Sequence, residues 1–522
     1  MVITTFNFFV FVALTAIIYF FCVPKKYQWC VLLLASYVFY AFAGFSLFVF
    51  IISTTLTVYL GALWIGKINE LPTSPPENAR LAWYLRVSKK WVVALVAIGN
   101  FGVLASFKWW NAIAEAVNIF LLGDSDVSLP YNSWLLPLGI SFYTFQAIGY
   151  LIDVYRGKMG PEKNPARFAL FVSFFPQLVQ GPISRHSELA EQLYASRRFD
   201  YGKFRRGVQL MIWGLFKKLV IADRLVIMVS TIFSGTGEYD GLYILIGAIT
   251  HALWVYADFS GGVDIARGVG QIFGIEMPLN FLRPFFSSSL PEYWRRWHIS
   301  LNNWWRDYLF YPLVLSKPMT KISRFTRQHI SPSLGRVIGV YIGINVVRII
   351  NAMWHGANAY YIANGLFIGI IMVLAMVLDP LAKKIIALLR IDTDCFSWRL
   401  FQIVRTFLIM CLGRVFLAVG GARSGLLAMA SIVRDFNPWI LNYDDAVLFA
   451  FDPRDARIVI FSLLVVLVVE ILQEKGLAMR ETLERQNIAF QWLVMLGGIF
   501  AILMWGMYGH GYDAAAFVYM GF

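Results

Sequence analysis

The chain alternates long uncharged stretches with short clusters of charge. Residues 7–22 hold no Asp, Glu, Lys or Arg, and neither do 91–107, 134–152, 242–257, 337–347, 358–378, 458–469 and 487–509. A helix needs about 20 mostly apolar residues to cross the hydrocarbon core of a bilayer. Repeated stretches of this kind predict an all-α polytopic membrane protein with about 10–12 transmembrane helices. No small-residue cleavage site follows the first stretch, so it is expected to be a retained helix and not a signal peptide. Between 168 and 310 the apolar runs are short and broken by Gly, Pro and charge. Re-entrant or interfacial helices are expected there. Irregular backbone is tolerated at membrane depth only where protein or a water-filled cavity surrounds it.

Composition agrees. The 522 residues are 59% hydrophobic and only 15% charged, against about a quarter charged in a soluble domain. No fixed-period repeat, low-complexity tract or soluble domain is visible, so 1–522 reads as one integral membrane domain. Residues 71–79 (LPTSPPENA) read as a short Pro-rich connection.

The net charge of +14 changes meaning in this setting. The cations sit between the apolar runs, which is the positive-inside pattern and not a nucleic-acid footprint. Lys67, Arg80, Arg86, Lys89 and Lys90 place 66–90 in the cytoplasm, as Arg156, Lys158, Lys163 and Arg167 do for 153–167 and five cations do for 316–336. The acidic stretches 109–133 (Glu115, Asp124, Asp126) and 435–455 then fall outside, as does the N-terminus. Cys22, Cys30, Cys395 and Cys411 form no C-x-x-C pattern, so neither a disulfide framework nor a metal site is expected.

Two segments carry histidines in unusual settings. In 289–311 (SLPEYWRRWHISLNNWWRDYLFY), Ser289 and Glu292 have capping-box spacing and Pro291 fits a first helical turn. A helix is predicted to start here. On it Trp294, His298, Leu301, Trp305 and Tyr308 share one face, and Arg295, Asn302 and Arg306 another. This reads as an interfacial amphipathic helix. His298 is either a hydrogen-bonded core histidine or a polar group lining a reaction tunnel. The second segment, 337–378, reads as two apolar helices joined at 351–358 (NAMWHGAN). Its hairpin turn holds His355 at membrane depth or near the outer face. An ionisable residue there is costly unless paired or solvated, so it is a candidate functional residue. A packing histidine between helices is the alternative.

Histidine suits acyl transfer, since it can take a proton from an attacking hydroxyl and return one to a leaving group. No G-x-S-x-G elbow, Walker loop or Rossmann loop is present. Residues 256–264 (YADFSGGVD) place Asp258 and Asp264 in an apolar stretch, where buried carboxylates need partners. Arg267, Arg295 and His298 are candidates. In 174–185 (FFPQLVQGPISR), Pro176, Gly181 and Pro182 break a helix. Gln180 and Arg185 could face a head group there, or the segment could be a kinked span.

YADFSGGVD, YWRRWHISLNNWWRDY and MWHGAN, in this order and spacing, resemble the membrane-bound O-acyltransferase family. The branch they are most similar to holds alginate O-acetyltransferases and teichoic-acid D-alanyltransferases. LPLGISFYTFQAIGYLIDVYR (136–156) and FFPQLVQGPISR are similar to that branch too. The resemblance runs over about 1–420, with core motifs in 135–360 and peripheral helices at 1–110 and 400–522. It implies tilted helices around a central tunnel, with His355 as the catalytic histidine and His298 as the second signature residue. It makes Asp258, Asp264, Arg295, Asn302, Trp354, Asn358 and Gln180 candidates for substrate binding. The acyl donor would be a cytoplasmic thioester, acetyl-CoA or an acyl carrier protein, with no resident cofactor. The acyl group would pass to an extracytoplasmic partner protein that modifies a cell-surface polysaccharide, from a protein in the cytoplasmic (inner) membrane. D-alanyl transfer to a teichoic-acid-type polymer is the alternative within the family. A transporter or flippase of an activated precursor is the alternative outside it; no inverted repeat is visible in the hydropathy. The stretch Ala363–Gly369 has no histidine where alginate-branch members often carry one, which leaves a two-histidine relay through that stretch unsupported. Arg295, Arg296 and Arg306 could bind the donor's phosphates or act as interfacial anchors.

Overall fold

The structure, a computed structural model, describes residues 1–70, 79–119, 128–132, 136–234, 239–442, 451–509, 512–513 and 517. All but the last residue of the Pro-rich connection 71–79, together with Asp124 and Asp126, lies outside the described residues. The described chain is helical, and its one β-type pairing is an isolated antiparallel bridge between Phe281 and Trp297. Contacts divide it into two compact units.

Unit one comprises Met1–Met211, Gly262–Pro278 and the described part of Asp513–Phe522. It contains α1 (Phe6–Ile17, continued to Cys22 by a π turn), α2 (Gln28–Ala41), α3 (Phe48–Asn69), α4 (Ala79–Val117), α5 (Ile140–Tyr155), α6 (Pro165–Ser173), α7 (Phe175–Gln180), α8 (His186–Tyr194) and most of α9 (Tyr201–Leu215). Nearly every residue of α5 is buried, which makes it the centre of this unit. It starts at Gly139, whose left-handed backbone (φ 68) brings it against Leu178 O, where any Cβ would collide. Helices α6 and α7 are short for local reasons. Asn164 caps α6 by accepting from Ala166 N and Arg167 N ahead of Pro165. Gly181 and Pro182 then stop α7.

Unit two comprises Ile212–Gly261 and Leu279–Tyr512. It holds a π-helical turn at Phe216–Ala222, α10 (Asp223–Ser234), the first part of α11 (Leu242–Ile272), α12 (Leu290–Arg296), α13 (Ile299–Trp305), α14 (Tyr311–Val314), α15 (Lys317–His329), α16 (Pro332–His355), α17 (Ala359–Leu388), α18 (Phe396–Val419), α19 (Ala422–Arg434), α20 (Pro453–Glu474), α21 (Met479–Glu484) and α22 (Ile488–Trp505). Gly335, Gly339 and Gly343 recur every four residues on α16. They let Arg327, Met319 and Phe310 come against its backbone.

Seven helices among the described residues are long and apolar enough to cross a membrane. They fit the all-α polytopic architecture the sequence predicts. The first uncharged stretch makes only the shorter helix Phe6–Cys22, and 134–152 yields the 16-residue α5. The broken character expected for 168–310 is present, as the short α6–α8 and α12–α14. The structure corrects the reading of 289–311. The single amphipathic helix expected there is two helices with a break at Trp297–His298.

Candidate active site

The local chemistry of 289–311 explains both the start and the break. Ser289 Oγ accepts from Glu292 N at 3.4 Å, and the Glu292 carboxylate accepts from Ser288 N and Oγ at 2.9 and 2.7 Å. With Pro291 in the first turn, α12 begins where the sequence predicts. It lasts seven residues. Trp297 is then extended and bridges to Phe281, with Leu282 N donating to Arg296 O (2.9 Å) and Ile299 N to Asn280 O (3.0 Å). His298 takes a left-handed backbone, φ 44. That conformation costs a non-glycine residue about 1 kcal/mol, which the paired 280–283 segment and the aromatic packing offset. Trp297 stacks on Tyr293 at 5.7 Å and receives the Arg414 guanidinium at 4.8 Å. Asn302 holds the break closed from below, its Nδ2 donating to Trp297 O (2.6 Å) and His298 O (3.2 Å).

His298 is 3% exposed and packs edge-on to Phe259 at 4.8 Å. Its Nδ1 lies 3.2 Å from Asn280 Oδ1, which also accepts from Ser300 N (3.1 Å) and Ser300 Oγ (2.9 Å). A backbone N–H can only donate, so the Asn280 atom at this junction is its oxygen. His298 Nδ1 must then carry the proton, and Nε2 holds the basic lone pair. Burial pushes the imidazole down to about 3, so the ring is neutral at physiological pH.

His355 is the last residue of α16, half-buried at the hairpin turn. Trp354 meets it edge-on at 4.6 Å, and Tyr361 stacks on it at 5.8 Å with 17° between rings. Gly356 keeps this approach open, since a Cβ there would lie 2.9 Å from Tyr361 Cε2. The expected hairpin and the position of His355 in it are as the sequence predicts. Two contacts tie α16 to the other histidine segment. Trp305 Nε1 donates to Asn351 Oδ1 at 3.0 Å, and the Arg348 guanidinium lies 3.7 Å from the Trp294 ring centre. Asn351 and His355 are four residues apart on α16 and share a face. Trp305 lies seven residues beyond His298, about 10 Å of helix rise. The face that carries His355 is therefore turned toward the helix that His298 starts.

Both carboxylates have cationic partners, but that of Asp258 is not one the sequence singled out. Asp258 is fully buried, and its carboxylate sits 2.7 Å from Lys218 Nζ. Lys218 also meets Asp223 at 2.7 Å, and Tyr512 Oη donates to Asp223 at 2.8 Å. Lys217 donates to Ser260 Oγ at 2.8 Å. Asp264 pairs with Arg267 at 3.6 Å, one of the partners expected for it, and belongs to unit one. Gln180 is also in unit one, fully buried with its carboxamide against Gly262. Arg295 is exposed, and Asn358 is exposed with Nδ2 donating to Tyr360 Oη at 3.0 Å. Arg296 is held by Glu292 (2.7 Å) and by both oxygens of Glu474 (2.9 and 3.0 Å), while Arg283 pairs with Glu474 at 2.7 Å. Arg306 pairs with Asp307 at 2.8 Å. His298, Asn302, Trp354, His355 and Asn358 thus fall on connected elements of unit two.

Sequence reasoning missed Lys218, Asn280 and Tyr361. Two adjacent lysines inside the apolar run 215–222 were the available signal for Lys218. Nothing local marks Asn280.

The family model of MBOAT, the membrane-bound O-acyltransferase family, matches residues 160–326. The chain is 32% identical over 391 residues to a probable alginate O-acetylase of Pseudomonas syringae pv. tomato, covering 75% of this chain and 67% of that protein. It is 31% identical over 430 residues to a probable alginate O-acetylase of Pseudomonas aeruginosa, covering 79% and 76%. It is also 31% identical over 366 residues to a peptidoglycan O-acetyltransferase of Helicobacter pylori, covering 65% and 62%. With its membrane-crossing helices and its two histidine segments, the chain belongs to the membrane-bound O-acyltransferase family and is a multi-pass membrane acyltransferase.

Proposed function

We propose that this protein moves an acetyl group from a cytoplasmic thioester toward hydroxyls of an extracytoplasmic cell-surface polysaccharide, with His355 as the general base. The observation that carries this reading is the coupling of the His355 face of α16 to the His298 segment through Trp305 and Asn351. In the reaction, His355 takes the proton of an attacking hydroxyl as the new C–O bond forms. The thioester C–S bond breaks, and the thiol leaves with a proton returned from the imidazole. His298 and Asn302 shape the wall beside the reacting groups, and Trp354 and Tyr361 hold the His355 ring. Acetyl is favoured because the relatives described above are named for O-acetylation of alginate or peptidoglycan. The donor is acetyl-CoA or an acyl carrier protein thioester, the site of action the inner membrane, and the acceptor is reached through an extracytoplasmic partner protein.

The test is the O-acyl content of surface polymers, by mass spectrometry, in cells making the wild type or His355→Ala at matched levels. Loss of an acetyl ester in the variant is the expected result. Loss of a D-alanyl ester instead would reassign the acyl group. Unchanged esters would remove His355 from the chemistry and favour transport of a precursor.

A further inference from the structure

Unit one contains a cleft to which neither histidine segment contributes a residue. Its volume is about 150 Å³, and Arg197, Arg198, Lys203 and Asp200 line it over Phe20 and Ile272. The cleft is built by specific contacts. Gln28 clamps the main chain of Arg197 on both sides, Nε2 donating to Arg197 O at 2.9 Å and Oε1 accepting from Arg197 N at 2.8 Å. Arg197 Nη2 donates to Gln192 O at 3.3 Å, and its Nε is buried without a hydrogen-bond partner. Gly274, with a left-handed backbone (φ 75), lets the Arg197 side chain lie flat, since a Cβ there would sit 3.0 Å from Arg197 Cδ. Asp200 caps α9 by accepting from Lys203 N at 3.1 Å, which commits part of its charge to the helix terminus. The lining therefore carries a net excess of cations, one of them a guanidinium with an unused donor.

The surroundings are apolar in a particular way. Phe21 is 69% exposed, Phe199 43% and Tyr201 56%. Phe199 meets Phe20 at 5.5 Å and Phe21 at 5.7 Å, so the exposed rings continue directly from the cleft floor. They stand where the apolar helix Phe6–Cys22 ends, and Lys25 and Lys26 follow. Ser196 Oγ donates to Lys25 O at 3.2 Å, which brings that turn to the same rim. Aromatic rings and cations at the end of an apolar helix mark the membrane–water boundary.

We propose that this cleft holds the phosphate of an anionic phospholipid, with an acyl chain lying along Phe20, Phe21 and Phe199. A guanidinium fork matches phosphate oxygens two at a time, and lysine adds a point charge. Basic pockets beside membrane helices are suited to anionic head groups for the same reason. A soluble phosphate would use the cations but leave the contiguous rings uncovered. A lipid uses both.

The test uses the full chain in nanodiscs of phosphatidylcholine with and without phosphatidylglycerol. Lipid retained after extraction is read by native mass spectrometry, alongside the thermal unfolding midpoint. Wild type should retain phosphatidylglycerol and unfold at a higher temperature in its presence. The double variant Arg198→Gln, Lys203→Gln should retain about tenfold less and lose the shift. Neither residue takes part in the Gln28 clamp, so this variant keeps it; Arg197→Gln tests the remaining cation and, should it fail to fold, the double variant decides alone. Equal retention by wild type and double variant would overturn the proposal. Inorganic phosphate or coenzyme A reproducing the thermal shift in phosphatidylcholine alone would also overturn it, by assigning the cleft to a soluble phosphate.

Discussion

His298 and His355 are set in opposite ways, although both belong to unit two. His298 is buried, strained into a left-handed backbone and fixed through Asn280 in one tautomer. His355 is half-buried at a helix end, held by two aromatic rings. The first arrangement prevents a proton from being gained and fixes a wall. The second leaves an imidazole partly open to its surroundings. In the proposed reaction the two histidines would divide the work by environment, the buried one as wall and the half-buried one as base.

The largest expected effect is on His355. His355→Ala should lower acyl transfer by about 10²–10⁴-fold with an unchanged unfolding midpoint, measured by ester content and by thermal unfolding in detergent. A lowered midpoint with retained ester would invert the comparison and make His355 the framework residue. Next is the buried ion network that supports α11. Lys218→Met leaves Asp258 and Asp223 without their shared cation and should cost about 3–5 kcal/mol of stability. Lys218→Met with Asp258→Leu and Asp223→Leu should recover most of it, since replacing such a group with apolar side chains is often neutral.

Protonation of His298 gives a smaller effect with a sign. The His298 ring has a folded value near 3 against about 6.5 when unfolded. The unfolded chain therefore binds more protons between these values, and stability rises with pH across that window. The His298 contribution should be full above about pH 6.5 and decline as pH falls toward 3. His298→Gln should flatten that part of the pH–stability profile. Asn280→Ala removes the acceptor shared by His298 and Ser300 and should cost about 1–3 kcal/mol, while Asn280→Asp keeps an acceptor and should cost less. The smallest effect is at the link between the segments. Trp305→Phe loses one hydrogen bond to Asn351 and should cost about 1 kcal/mol. A drop in turnover with little change in donor KM would show that the link positions His355; no change in either would make it packing alone.

The parts of the fold legible in the sequence are those fixed by neighbours along the chain. The hairpin of α16 and α17 follows from two apolar runs around 351–358, and α12 starts where Ser289, Pro291 and Glu292 predict. The family motifs were legible too, because each is a short contiguous string. The break at His298 was not legible. Trp294, His298, Leu301 and Trp305 keep helical spacing straight through it, and only the 280–283 segment, folded back by the tertiary structure, gives the main chain on either side of Trp297 other hydrogen-bonding partners, Leu282 N for Arg296 O and Asn280 O for Ile299 N.

The same reason hid the partner of Asp258. Asp258 and Asp264 stand six positions apart in one string; Asp264 finds Arg267 three positions on, but the chemistry of Asp258 depends on which cation the fold delivers. Lys218 arrives at Asp258 from 40 positions away, and Glu474 reaches Arg283 across 191. Hydrophobic periodicity, caps and contiguous motifs therefore determined the all-α class, the start of α12 and the hairpin that carries His355 from sequence alone. The protonation state of His298, the partner of Asp258 and the coupling of His298 to His355 required the tertiary structure, because each depends on a polar group brought from a distant part of the chain.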